Sequence, residues 1–170
     1  MTRTPLGPAL VEEATKKSGL IWVRGDAPAG ARALWHVWHE GAAHVVGDGP
    51  GEQPLPGLVA GSTAEVTVRS KDKGGRIVAW TASVSELAPG TREWDAAVAE
   101  LKGKRLNAAD GEAMPERWAR ECRVLRLTPL ASTTDLPDGS LAAVPLPTEA
   151  TTRRPVPAAL PRLLLKRRKR

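Results

Sequence analysis

The three histidines of this chain, His36, His39 and His44, lie in one short stretch and are the first candidates for metal or cofactor chemistry. A two-residue turn at Gly41 and Ala42 would place His39 opposite His44 across a hairpin, with His36 on the other face. Two imidazoles do not complete a zinc site, and no local carboxylate is placed to add a ligand. The pattern favours structural histidines and predicts no metal site, and it leaves a cofactor contact through His39 open.

The segment from Arg69 to Arg76 is the strongest anion-binding candidate. Four cationic side chains, one serine and two glycines converge around a single predicted turn. Such a turn presents backbone amides and positive side chains to a phosphate group. The alternative interpretation is an ordinary solvated turn with surface charge.

All the large aromatic side chains are tryptophans, since the chain has six Trp and no Phe or Tyr. Core packing is favoured for these rings, and Trp35, Trp38 and Trp80 are alternative stacking surfaces for a planar ligand. Sequence patterns of phosphate-binding loops, dinucleotide folds and nucleophile elbows do not occur, so hydrolase chemistry has no positive support and catalytic residues stay unassigned.

Cys122 is the only cysteine, which excludes an intrachain disulfide and a cysteine-based zinc cluster. Its spacing of four from Trp118 predicts a place in the core. The neighbouring cations Arg120 and Arg123 point to the alternative, a lowered thiol pKa.

These residues must be positioned by a mixed set of short elements. The side chains Val78, Trp80, Ala82 and Val84 alternate as in a half-buried strand, and helical spacing relates Trp94, Val98 and Leu101. The full pattern predicts helices from Pro8, from the cap Thr91 and from Pro115, and strands near 19–23, 31–40, 43–46, 64–70, 76–87 and 123–129. We therefore expect one α+β domain, mainly β, over residues 1–130.

The positive charge of the chain is concentrated at its end. Residues 153–170 hold eight Lys or Arg and no acid, whereas the rest of the chain has 17 basic and 19 acidic residues. We expect residues 131–170 to form a proline-rich, basic, disordered tail. Its cations allow weak, non-specific contact with nucleic acid or anionic membrane, and the alternative is a solvated tail with no dedicated partner. Without a signal-peptide or membrane-span pattern, the expected location is the cytoplasm.

The order of the predicted elements resembles the FMN-binding split barrels of the pyridoxamine 5'-phosphate oxidase-like superfamily. The similarity covers roughly residues 8–130 and looks like an actinobacterial branch of that family. It rests on three segments: Trp35-His36-Val37-Trp38-His39 with Gly41 to Val46, Val66 to Lys71, and Arg126-Leu127-Thr128-Pro129.

This resemblance implies a six-stranded Greek-key split barrel with flanking short helices, assembled as a homodimer with FMN or the deazaflavin F420 between protomers. It implies that Arg69, Ser70 and Lys71 hold the cofactor phosphate, with Trp38 and His39 as further cofactor-binding candidates. Members of the family usually carry Arg or Lys after the third strand, whereas residues 47–62 contain neither.

The expected function is therefore a flavin-type binding protein or oxidoreductase of this superfamily, acting on a small molecule that the sequence does not identify. The alternative is a non-catalytic split barrel that serves as a ligand-binding or dimeric interaction module without flavin.

Overall fold

The structure, a computed structural model of the chain, describes residues 8–26, 28, 30–69 and 76–130, with side chains of the last range from residue 78 onward. The predicted turn after Arg69 and the predicted tail lie outside these residues, so the domain boundary at residue 130 stays a prediction. In the part of the chain that is described, no helix is both long and apolar enough to cross a bilayer.

Short helices and antiparallel strands follow one another much as the sequence pattern predicts. The helices are α1 (Pro8–Lys17), α2 (Arg92–Lys104) and α3 (Met114–Glu121), the last preceded by one 3₁₀ turn (Gly111–Ala113). The strands are β1 (Leu20–Arg24), β2 (Arg32–Trp35), β3 (Val37–His39), β4 (Ala42–Gly47), β5 (Thr63–Arg69), β6 (Arg76–Glu86) and β7 (Arg123–Pro129).

The strands form one antiparallel sheet in the order β2-β1-β5-β6-β7-β4-β3. Its two edge strands, β2 and β3, are separated only by His36. Because the chain itself joins the two edges at that residue, the sheet curls into a nearly closed barrel. Counted as one bent strand, β2 and β3 bring the number to the six that the resemblance implies.

The interior of the barrel is built from alternate residues of the strands, as the period-two pattern predicts. Val66 and Val68 of β5 pack there with Trp80 and Val84 of β6, all nearly without exposed surface. Each such side chain contributes about 1.5 to 3 kcal/mol by leaving water. Val11 of α1 belongs to the same cluster, so α1 packs against this core.

A second apolar cluster lies between the outside of the barrel wall and the helices α2 and α3. Trp94, Val98 and Leu101 of α2 bury one helical face there, against Val46 of β4 among others. The N-cap prediction is confirmed, because the Thr91 hydroxyl accepts a hydrogen bond of 3.3 Å from the backbone N–H of Trp94.

The hairpin between β3 and β4 has a different register from the predicted one. Its turn residues are Glu40 and Gly41, both with positive φ (46° and 72°), rather than Gly41 and Ala42. His39 therefore pairs with Ala42, and His44 pairs with Val37. His39 and His44 still share a face, but as diagonal neighbours rather than as a directly opposed pair.

Candidate functional site

Arg69, the first residue of the predicted anion-binding segment, lies at the end of β5 on the outer face of the barrel wall. Its guanidinium carbon lies 4.3 Å from the centroid of the Trp22 ring. Trp22 belongs to β1, which pairs with β5, and it points outward because its neighbours Ile21 and Val23 are in the core. A cation and a flat apolar surface therefore adjoin where the chain leaves β5.

The backbone at this point is irregular, since the pairing of β5 with β6 shifts register between Val68 and Arg69. Such a bulge re-aims the side chain that follows it and is common beside functional sites. The next two candidates, Ser70 and Lys71, lie outside the described residues. Their contacts with a phosphate stay predictions.

Trp38 and His39 are consecutive residues of β3 and lie on opposite faces of the barrel wall. Trp38 packs against the interior cluster, with its ring 6.3 Å from that of Trp80 in an edge-on arrangement. His39 lies on the outside, where its ring centroid is 6.0 Å from that of His44. In the sheet order β3 and β5 are not neighbours, so Trp38 and His39 lie on a different part of the wall from Arg69.

His39 and His44 form the hairpin histidine pair, of which His44 is buried beside a positive charge. His44 is 1% exposed, and its burial together with the charge of Arg126 lowers its pKa to about 4. It is therefore neutral near pH 7. His39 Nε2 lies 3.8 Å from the Glu40 carboxylate, beyond hydrogen-bonding distance, and the described part of the chain offers this buried nitrogen no hydrogen-bond partner.

His36 has a structural contact on the other face, as predicted. Its Nε2 lies 2.8 Å from the carbonyl oxygen of Thr15 and donates to it, which ties the junction of β2 and β3 to α1. Burial lowers the pKa of His36 to about 4. Within the described ranges, no three His, Cys, Asp or Glu side chains converge as a metal site would require.

A buried carboxylate, which the sequence pattern did not single out, organises the loop of residues 48–62. The side chain of Glu52 has no exposed surface. Its oxygens accept hydrogen bonds from Arg105 Nε at 3.2 Å, Arg117 Nη2 at 3.0 Å and Trp118 Nε1 at 3.1 Å. The neighbouring Gln53 bonds the backbone N–H and the carbonyl oxygen of Trp35, each at 2.9 Å.

A third arginine holds the same loop from the barrel wall. Arg123 of β7 donates to the Asp48 carboxylate at 3.1 Å and to the Leu58 carbonyl oxygen at 2.9 Å. The family resemblance implies cations in this loop, whereas its charged residues here are acidic. Arginines from α3, β7 and the end of α2 form ion pairs with them. Those arginines are engaged in holding the loop.

Cys122 caps the C-terminal end of α3 and packs at the margin of the helical cluster. Burial raises the pKa of its thiol, and this effect exceeds the opposing influence of Arg117. The alternative of a lowered thiol pKa is therefore wrong, because desolvation outweighs the nearby cations.

Comparison with known proteins identifies the fold and no family. No family model and no curated protein sequence matches the chain. Among solved structures, the chain is similar to HutZ, the heme storage protein from Vibrio cholerae, with a TM-score of 0.54 and 13% identity over 78% of this chain and 95% of that one.

Two further solved structures are similar to this chain. The conserved hypothetical protein Rv2991 from Mycobacterium tuberculosis gives a TM-score of 0.56 at 11% identity, over 79% of this chain and 87% of that one. Campylobacter jejuni ChuZ gives 0.52 at 10% identity, over 75% and 55%. At such identities the similarities show the fold alone, which is a split barrel with a few short helices.

Proposed function

We propose that this chain binds a flavin-type cofactor, FMN or F420, and positions it for a redox reaction of a small molecule. The observation that carries the proposal is the Arg69 guanidinium, 4.3 Å from the ring of Trp22 on the outer face of a split barrel. A phosphate-bearing cofactor with a planar ring system needs a cation and a flat apolar surface close together, and these two residues supply both.

The residues that follow would complete the phosphate contacts. Ser70 and Lys71 add a hydroxyl and a second cation immediately after Arg69 in the sequence. Charge-assisted hydrogen bonds of this kind contribute about 1.5 to 3 kcal/mol each. When bound, the cofactor itself supplies the hydride or electron transfer, so the protein requires no catalytic triad.

We propose that the barrel assembles as a homodimer through the outer face of its wall. On that face Ser83 and Ser85 of β6 lie beside Thr128 and Arg126 of β7. Small side chains such as serine and threonine let a second barrel approach closely, and most soluble homo-oligomers are two-fold dimers. Light scattering of the full chain should give the mass of a dimer, and a monomer at micromolar concentration would refute this part of the proposal.

The flavin proposal is tested first by the absorption spectrum of the purified protein and then by titration with FMN and with F420. Arg69→Ala and Lys71→Ala should each weaken binding by about 1 to 3 kcal/mol without loss of folding. Arg92→Ala, which removes an exposed cation from the first turn of α2, is the matched control. Equal affinities in all three variants would show that the phosphate group binds elsewhere.

A second candidate ligand is an iron porphyrin, because the hairpin histidine pair includes a ring nitrogen without a hydrogen-bond partner among the described residues. The ring of His39 is partly exposed, while its Nε2 is buried and lacks a hydrogen-bond partner among the residues that the structure describes. An imidazole nitrogen in this condition can serve as an axial ligand of heme iron. HutZ, which shares the fold, is described as a heme storage protein.

Titration with hemin separates the two candidates, since bound heme gives a sharp Soret band that FMN does not. The heme candidate requires that His39→Ala weaken that band while Arg69→Ala leaves it intact. A chain that binds FMN, F420 and hemin no better than a barrel-unrelated control protein would be the non-catalytic interaction module.

A further inference from the structure

A groove outside the Arg69 region lies between the end of α1, strand β3 and the second half of α2. Its volume is about 390 Å³. Lys16 of α1 and Trp38 of β3 border it on one side, and Gly103 and Lys104 of α2 border it on the other. Pockets for small molecules begin at about 300 Å³, so the groove has the size of a small ligand.

One side of the groove is formed by residues that have a small side chain or none. Ala99 and Gly103 are four positions apart on α2 and therefore share a helical face. A Cβ added at Gly103 would meet no atom within 4 Å, so packing does not require glycine there. Glycine at this position, in the last turn of α2, leaves the groove open on the α2 side.

The other walls supply an aromatic surface and cations. Trp38 is half-buried, with one edge against Trp80 in the core and another at the groove. Lys16 and Lys104 are exposed, and Glu100 is the one acid that borders the groove, so the bordering side chains have a net charge of +1.

We infer that this groove binds a small planar anion, an aromatic ring bearing a phosphate or carboxylate group. The aromatic ring of the ligand packs against Trp38 beside Gly103, and its anionic group lies between Lys16 and Lys104. Trp38, which the sequence groups with Arg69, thus serves a second site, on β3 and not on β5. This inference does not depend on the flavin proposal.

Isothermal titration of the full chain tests the inference with defined probes: AMP and benzoate as planar anions, adenosine as an uncharged ring, and inorganic phosphate as a bare anion. AMP or benzoate should bind, and AMP should bind at least about tenfold more tightly than adenosine or phosphate, since each lacks half of the recognised features. Failure of both AMP and benzoate to bind at millimolar concentration would overturn the inference.

Variants locate the binding site. The double substitution Lys16→Ala and Lys104→Ala should weaken AMP or benzoate binding about tenfold or more. Lys17→Ala with Lys102→Ala removes the same charge from the same two helices outside the groove and should leave affinity within about twofold. Equal losses in the two double variants would show that only net charge matters, and the inference would fail.

A substitution that fills the groove with a side chain tests the binding site without changing its charge. Gly103→Leu should abolish binding of the planar anion while the thermal midpoint stays at least as high as in the parent chain, because leucine favours the helix. Arg69→Ala should leave this binding unchanged. Binding that survives Gly103→Leu, or that is lost in Arg69→Ala, would place the anion elsewhere and refute the site.

Discussion

Arg117 Nη2 donates a hydrogen bond of 3.0 Å to the carboxylate of Glu52, a side chain with no exposed surface. The same arginine donates from Nε to Asp110 at 2.6 Å, so one guanidinium links the loop of residues 48–62 to the segment before α3. A buried charge that is paired and hydrogen-bonded is tolerated, whereas the same charge without its partners is strongly destabilising. The loop and the helical side of the molecule are therefore coupled through Glu52.

Removing that carboxylate should destabilise the fold more than removing an exposed one. We expect Glu52→Ala to lower the free energy of unfolding by about 3 to 5 kcal/mol, because Arg105, Arg117 and Trp118 each lose an acceptor. Urea denaturation measures the change. Glu116→Ala, at an exposed position of α3, is the control and should stay within about 0.5 kcal/mol of the parent. Similar losses in both variants would contradict the role of Glu52.

Stability should fall as the pH drops from about 6.5 to about 4. His36 and His44 have folded-state pKa values lowered from 6.5 to about 4, so in this window the unfolded chain binds more protons than the folded one. Protonation then favours unfolding. The stability that the neutral rings contribute is fully present above pH 6.5 and is lost progressively toward pH 4.

Urea denaturation across that pH range checks the assignment to these two rings. We expect His36→Gln and His44→Gln each to flatten the decline, whatever they do to stability at pH 7. A slope unchanged in both buried-histidine variants would assign the acid sensitivity to other groups.

Two glycines with different surroundings should respond oppositely to alanine. A Cβ at Gly47 would lie 2.2 Å from the carbonyl oxygen of Gln53 and 2.7 Å from Leu55 Cγ, so the loop must shift to admit it. We expect Gly47→Ala to destabilise the fold by about 1 to 3 kcal/mol. Gly103→Ala, in the last turn of α2 with open space beside it, should stabilise by up to about 0.5 kcal/mol, less than in a helix interior. Thermal unfolding of both variants measures these changes in stability. A change of the same sign in both variants would contradict the prediction.

Deleting residues 152–170 should leave thermal stability unchanged and abolish weak binding to DNA, RNA or anionic vesicles. The reason is that eight cations and no acid fall within this stretch, while the remainder of the chain is slightly acidic. Full-length and shortened chains are compared by thermal unfolding and by binding at low and physiological salt. A lower midpoint in the shortened chain would show that these residues belong to the folded domain.

The sequence by itself determined the elements and the faces that they bury. The alternation of Val78, Trp80, Ala82 and Val84 predicted the inner face of β6, and the spacing of Trp94 and Leu101 predicted the packed face of α2. These features are readable because strand and helix periods, caps and turn residues act over a few neighbouring residues. The split-barrel fold was expected from the resemblance of these elements and their order to a known family.

The tertiary structure alone decided the hairpin register and the partners of the buried polar groups. The predicted and observed registers of β3 and β4 differ by two residues, and such a shift keeps every side chain on its face, so alternation does not distinguish them. Glu52 meets Arg105 and Arg117 from 53 and 65 positions away. No local pattern encodes such contacts, because they depend on how the closed sheet brings distant segments of the chain together.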